Sequence, residues 1–143
     1  MKSKNLIFLA IIVMALFISS AVARASEPMS EEEIKVYKKY EGKWGDAAWT
    51  QMKGRQPVKQ RSVEFQIEKV DFANRKAEVI YLLGEGRKGQ AASRATYKAD
   101  CVDGKLIFET SQDKIQLWIK GNDELFAERK GPNPSQTILK RIQ

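Results

Sequence analysis

Two residue types that often carry catalysis or bind metals, histidine and cysteine, are absent or nearly absent from this chain of 143 residues. It contains no histidine, which excludes Ser-His and Cys-His nucleophile pairs as well as histidine metal ligation. The single cysteine, Cys101, has no partner for an intramolecular disulfide, and it falls on the same face as Ala99 and Tyr97, which favours a buried structural thiol over the alternative of a reactive one. Most acidic residues alternate with apolar ones, so no carboxylate pair stands out for glycosidase chemistry. We therefore expect no catalytic residue, no metal site and no cofactor.

A glycine-rich segment is the first candidate for binding. Gly84–Gly89 reads Gly-Glu-Gly-Arg-Lys-Gly, which fits the dinucleotide-binding pattern G-x-G-x-x-G. Dinucleotide binding requires βαβ units, however, and no helical pattern follows in the rest of the chain. A loop between two strands explains the glycines better. Arg87 and Lys88 in this loop are candidates for contact with an anion or an acidic partner, and the alternative is a solvated loop tip.

Aromatic residues are the second candidate. Trp118 lies between Gln116 and Lys120 on the polar side of its segment, so it marks either a binding surface or a lone surface aromatic. Tyr81 and Tyr97 are expected either to contact a ligand or to belong to the core with hydrogen-bonded hydroxyls. The predicted ligand-binding residues are Trp49, Tyr81, Arg87, Lys88, Tyr97 and Trp118.

The elements that position these residues are expected to begin after an export signal. Lys2 and Lys4 precede an uncharged apolar run of 13 residues, Leu6–Ile18, and Ala23-Arg24-Ala25 places small residues where signal peptidase requires them. A helix needs about 20 apolar residues to span a bilayer, and this run is shorter, which argues against the alternative of a membrane anchor. We predict a cleaved signal peptide over residues 1–25, no stable membrane anchor after cleavage, and a periplasmic or secreted location.

The mature chain that would remain is mildly basic. Three of the 25 basic residues lie in the predicted signal peptide, which leaves 22 basic and 18 acidic residues and a net charge of +4. The basic residues are scattered, a distribution typical of a solvated mixed surface and not of a nucleic-acid interface. A chain of this length forms one domain. We expect a monomer whose partner is a small molecule or an exported protein.

Residues 26–42 are predicted to form a short lead and one amphipathic helix. Ser30 and Glu33 have the spacing of a capping box, in which each side chain accepts a hydrogen bond from the backbone amide of the other. Apolar residues then recur at helical spacing until Gly42, which ends the run. We expect this helix to cover an apolar surface.

After the helix, apolar and polar residues alternate, which is the pattern of strands with one wet face. Counting Lys43–Thr50 as the first, there are eight candidate strands, and residues 51–60 are expected to form a longer loop. No long helical pattern separates the strands, which argues against a parallel βαβ architecture. We predict a mainly β domain over residues 43–143, an eight-stranded antiparallel up-and-down barrel, with a β-sandwich as the alternative.

The tripeptide Gly42-Lys43-Trp44 matches the Gly-x-Trp that opens the first strand of lipocalin-like barrels. It follows a short helix and precedes about eight strands, so the chain resembles the small lipocalin-like (calycin-type) barrel domains of exported bacterial proteins. The resemblance implies that Trp44 packs near the closed end of the barrel beneath a basic residue from the far end of the chain. Arg141 is the residue expected in that position. The chain is shorter than full lipocalins and lacks the helix after the eighth strand, so a large hydrophobic cavity is not implied.

Three functional hypotheses follow from these features. The first is a non-catalytic extracytoplasmic binding module that holds a small molecule or a protein at the barrel mouth or at the loops near Gly84–Gly89 and Gly131–Pro134. The second is a structural or inhibitory partner protein with a filled barrel. The third is a carboxylate-based hydrolase, which the lack of histidine and the unpaired cysteine make the weakest.

Overall fold

The computed structural model describes residues 27–143, which form one α-helix followed by a closed β-barrel. The elements are α1 (Glu31–Lys38), β1 (Gly42–Lys53), β2 (Gln56–Asp71), β3 (Lys76–Leu83), β4 (Ser93–Val102), β5 (Lys105–Glu109), β6 (Lys114–Lys120), β7 (Glu124–Lys130) and β8 (Ser135–Ile142). Each strand pairs antiparallel with the next, and β8 pairs with β1. The predicted eight-stranded antiparallel up-and-down barrel is therefore confirmed. The predicted signal peptide lies outside the described residues.

Helix α1 begins at the capping box that its sequence predicts. The Ser30 hydroxyl accepts a hydrogen bond from the Glu33 amide at 3.2 Å, and the Glu33 carboxylate accepts one from the Ser30 amide at 3.5 Å. Acidic residues fill the first turn and lysines lie in the last, which suits the helix dipole. Glu33 also forms an ion pair of 2.7 Å with Arg75, in the turn between β2 and β3. The helix is thereby held against one end of the barrel.

Two tyrosines close that end. Tyr40 has no exposed surface, and its hydroxyl donates to the Gly104 carbonyl at 2.5 Å and accepts from the Ile119 amide at 3.2 Å. The Tyr37 hydroxyl accepts from the Gly104 amide at 2.9 Å. Burial raises the pKa of both tyrosines, so both hydroxyls stay protonated. These bonds join α1 and the segment that follows it to the β4–β5 turn and to β6.

Trp44 lies at the start of β1 inside this closed end. Its side chain has no exposed surface, and its indole N–H donates to the Tyr40 carbonyl at 2.9 Å. The guanidinium carbon of Arg141 lies 4.1 Å from the indole centroid, and its terminal nitrogens donate to the carbonyls of Glu41 and Lys39 at 2.8 and 2.7 Å. This is the contact that the resemblance implies.

Gly42 makes room for that contact. Its φ of +131° belongs to a region that residues with a side chain rarely adopt. A Cβ added at this position would lie 2.7 Å from Nη1 of Arg141. The backbone conformation therefore favours glycine at position 42, and any side chain there would displace the end of the arginine that covers the indole.

The expectation of a longer loop over residues 51–60 is wrong. Strands β1 and β2 continue as a hairpin in which only Gly54 and Arg55 form the turn. Gly54 has a φ of +66°, which suits a tight turn, and Pro57 pairs with Met52 close to the tip. Near its tip this hairpin exposes side chains on both faces, so the apolar–polar alternation that reveals a half-buried strand is missing there.

Alternate residues of every strand point inward and fill the middle of the barrel. The largest side chains with almost no exposed surface, apart from Tyr40 of the closed end, are Trp44, Trp49, Phe65, Ile67, Val79, Leu106, Ile115, Leu117, Leu125 and Leu139. They form one continuous cluster with the tyrosines of the closed end. An eight-stranded barrel is just wide enough for such side chains to fill. Space for a ligand is therefore to be sought at the open end and on the outer surface.

Candidate functional site

The end of the barrel opposite α1 is formed by four connections. They are the β1–β2 turn, the β3–β4 loop, the β5–β6 turn and the β7–β8 loop, because successive hairpins of an up-and-down barrel alternate between its two ends. We call this the open end. Of the six predicted ligand residues, three face the interior beneath the open end, two lie in the β3–β4 loop, and one lies on the outer surface. They are, in that order, Trp49, Tyr81 and Tyr97, then Arg87 and Lys88, then Trp118.

Trp49, Tyr81 and Tyr97 face the interior beneath the open end. Trp49 has no exposed surface, and its indole N–H donates to the Tyr81 hydroxyl at 2.7 Å. The Tyr81 ring stacks on Phe65, and the half-buried Tyr97 ring stacks on Phe108, each with centroids 5.1 Å apart. Burial raises the pKa of Tyr81, so its hydroxyl stays protonated. These rings pack on one another and form the floor of the open end.

Arg87 and Lys88 lie in a single 3₁₀ turn, Arg87–Gly89, of the β3–β4 loop. Both side chains are exposed, and Lys88 adopts a left-handed backbone conformation with φ 57° and ψ 40°. Strands β3 and β4 pair antiparallel on either side of this loop. The interpretation of Gly84–Gly89 as part of a loop between two strands is therefore confirmed.

Trp118 lies on the outer face of β6, away from the open end. Its ring packs on Phe126 of β7 with centroids 4.4 Å apart, and Nζ of Lys105 lies 5.2 Å from the indole centroid. Phe126 in turn pairs across the strands with Ile138 of β8, which is 44% exposed. Trp118, Phe126 and Ile138 thus form a half-exposed apolar strip across three strands, which we call the outer strip.

Arg129 is the polar residue at the open end that the sequence analysis missed. It follows Leu125 and Ala127 on the inward face of β7. Its guanidinium carbon lies 5.0 Å from the centroid of the Trp49 indole, a cation–π contact. A signal was present in the sequence, because the alternation of β7 places an arginine where a core residue is expected.

The hydrogen bonds of Arg129 engage only part of its guanidinium. Nη2 donates to the Gln60 side-chain carbonyl at 3.1 Å and to the Ser135 hydroxyl at 2.9 Å. Nε is buried and has no hydrogen-bond partner within residues 27–143. In the same part of the chain no carboxylate lies within 4.0 Å of the guanidinium. A buried cationic N–H without an acceptor is costly, so the site favours an incoming oxygen.

Arg129 opens onto a cleft of about 300 Å³ at the seam between β1 and β8. The register between these two strands shifts between Gly45 and Thr50, just before the part of β1 that lines the cleft. Gln51, Ser135 and Glu128 also line the cleft, so the arginine shares it with neutral polar side chains and one carboxylate. A volume of this size is at the lower end of the range for ligand pockets, which suits a small molecule.

The remaining chemically reactive side chain, Cys101, lies inside the barrel wall on β4 and is 6% exposed. Burial raises the pKa of its thiol to about 11. We expect the folded protein to react with a disulfide reagent near pH 8 about 100-fold more slowly than the unfolded chain, since each pKa unit lowers the thiolate fraction about tenfold. The measurement is the release of thionitrobenzoate with and without guanidinium chloride. Equal rates in the two conditions would show that the thiol is accessible and ionised in the folded protein.

Comparisons with protein families, with curated proteins and with solved structures find no match for this chain. Within residues 27–143, no three His, Cys, Asp or Glu side chains are grouped so that they could hold a metal ion. The only helix described there, α1, is too short and too polar to cross a membrane. The functional assignment rests on the geometry of the open end.

Proposed function

We propose that this protein is a non-catalytic extracytoplasmic binding module that holds a small anionic molecule at the open end of its barrel, beside Arg129. The observation that carries the proposal is the buried Nε of Arg129, which lacks an acceptor within residues 27–143. A carboxylate or similar oxyanion would accept a hydrogen bond from this N–H and would balance the positive charge. The cleft of about 300 Å³ that Arg129 lines provides the space.

A comparison of the two Arg–Trp contacts in the barrel supports this assignment. At the closed end, the terminal nitrogens of Arg141 donate to two backbone carbonyls over Trp44, so that arginine completes the fold. At the open end, Arg129 lies over Trp49 in the same manner but keeps Nε without a partner among residues 27–143. The indole face and the two acceptors of Nη2 already orient the guanidinium, which lowers the entropy lost when an anion binds.

The architecture supports a place for this protein among the lipocalin-like barrels of exported bacterial proteins. The closed antiparallel barrel, the short helix before β1 and the arginine over Trp44 are all consistent with that assignment. Because the middle of the barrel is filled with side chains, the ligand would lie at the rim and not in a deep cavity. Export by the predicted signal peptide would bring the protein to the periplasm or outside the cell.

The proposal is tested by native mass spectrometry of protein purified from its natural host. The wild-type protein should retain a small molecule, and Arg129→Gln should lose it because the affinity falls about tenfold or more. Lys114→Gln is the matched control, since it removes the same charge from an exposed residue of the neighbouring strand β6 that does not line the cleft. Absence of any bound mass in the wild type, or its retention by Arg129→Gln, would contradict the proposal.

The alternative is a structural or inhibitory partner protein with a filled barrel. The outer strip favours it, because contiguous apolar side chains on a sheet surface are typical of protein interfaces. Under this alternative the native spectrum would contain a complex with a second protein and no small-molecule mass. Trp118→Ala would then abolish the complex, whereas Arg129→Gln would leave it intact.

A further inference from the structure

We infer that the open end carries a second binding site, which takes a phosphate group in a cleft between the β1–β2 hairpin and the β3–β4 loop. This cleft has a volume of about 390 Å³, and the charged residues that line it are Lys53, Lys59, Arg61, Glu85 and Arg87. We call it the basic cleft. Arg129 does not line it, so the inference stands independently of the proposed function.

The cations of the basic cleft outnumber its carboxylates by four to one. None of its two lysines and two arginines forms an ion pair within 4.0 Å in residues 27–143, and its one carboxylate leaves a net charge of +3. Like charges gathered around a small volume repel one another, and a bound anion removes that repulsion. The excess of three charges favours a multiply charged group such as phosphate over a single carboxylate.

Arg61 holds the β3–β4 loop in place at one side of the basic cleft. Its Nε donates to the Gly84 carbonyl at 2.8 Å and its Nη2 to the Ala91 carbonyl at 2.7 Å, so it spans the two ends of the β3–β4 loop. The loop that carries Arg87 is thereby held beside the hairpin before any ligand arrives. A pre-positioned loop loses less conformational entropy when it binds an anion.

The side-chain chemistry of the basic cleft also suits phosphate. The planar guanidinium of Arg87 can donate two parallel hydrogen bonds to phosphate oxygens, and lysines supply point charges beside it. The exposed side chains of Arg87 and Lys59 are available for this purpose. The phosphate group could belong to a soluble molecule or to a lipid headgroup, and the experiment separates these two sources.

The first arm of the test is isothermal titration calorimetry of the purified protein with inorganic pyrophosphate. Arg87→Glu should weaken binding about tenfold or more, because it replaces a charge-assisted donor by a repelling carboxylate. Lys88→Glu is the matched control, since it makes the same change in net charge at the adjacent exposed residue, which does not line the basic cleft. It should change the affinity by no more than about twofold at physiological salt. Lys59→Glu replaces Arg87→Glu if the latter does not fold.

The second arm is cosedimentation with phosphatidylcholine vesicles prepared with and without phosphatidylglycerol. Pyrophosphate binding without cosedimentation supports the inference and assigns a soluble phosphate. The other supporting outcome is that the wild-type protein cosediments with the anionic vesicles. If Arg87→Glu abolishes this cosedimentation and Lys88→Glu preserves it, the result supports the inference and assigns a lipid headgroup. Binding to neither probe, or equal losses in the two variants, would overturn the inference, since only a general attraction to positive charge would then remain.

Discussion

Replacement of Trp44 by alanine should lower the free energy of unfolding by about 3–5 kcal/mol, the usual cost of truncating a large buried aromatic. The indole has no exposed surface, donates to the Tyr40 carbonyl and supports the guanidinium of Arg141. Its loss opens a cavity at the closed end and removes the surface on which Arg141 packs. The measurement is urea unfolding followed by far-UV circular dichroism, which does not depend on tryptophan fluorescence.

Trp118→Ala is the matched control for this prediction, because it removes the same side chain from the outer face of the barrel. Trp118 is half-exposed and lies on the outer strip, so its removal should change the free energy of unfolding by no more than about 1 kcal/mol. Similar losses in the two variants, or a loss under about 1 kcal/mol for Trp44→Ala, would be inconsistent with Trp44 as the centre of the closed end.

Replacement of Trp49 by alanine should cost a similar amount, about 3–5 kcal/mol, at the open end. Trp49 has no exposed surface, packs edge-on against Phe65 and Tyr81, and donates to the Tyr81 hydroxyl. The substitution would also remove the indole beneath Arg129 and leave that cation less well oriented. We therefore expect both stability and anion binding to fall, whereas Trp44→Ala should affect stability alone as long as the protein is folded.

Trp49→Phe separates packing from hydrogen bonding at this position. Phenylalanine retains most of the buried ring but has no N–H for the Tyr81 hydroxyl, so we expect a loss of about 1–3 kcal/mol. Thermal or urea unfolding of both variants measures the difference. If Trp49→Phe were as damaging as Trp49→Ala, hydrogen bonding would outweigh packing at this end of the barrel, contrary to our expectation.

Local signals in the sequence account for most of the elements. The capping box at Ser30 and Glu33 sets the start of α1 from groups three residues apart, which is information that a short segment contains. The alternation of apolar residues likewise marks the strands, because successive side chains in a strand point to opposite faces. The β1–β2 hairpin escaped prediction near its tip, since both of its faces are exposed there and no alternation is needed.

The tertiary structure changed the interpretation of the candidate residues. Trp49 and Tyr81 were predicted ligand-binding residues, with a core position as the alternative for Tyr81, and in the structure they hydrogen-bond to each other in the floor of the open end. Trp118 was predicted to lie on the polar face of its strand, and it lies on the outside of the barrel wall. The alternation in the sequence assigns Trp118 to the polar face, but it does not reveal that Trp49 and Tyr81 meet at one end of the barrel.

By itself the sequence determined the helix cap, the strand period, the mainly β class and the lack of histidine chemistry, because each depends on residue type or on short spacing. Only the tertiary structure decided that Gln60, Arg129 and Ser135 meet over Trp49. That meeting depends on the register of the strands and on the closure of β8 onto β1. Register and closure are set by the packing of the whole interior, so no short segment of the chain contains them.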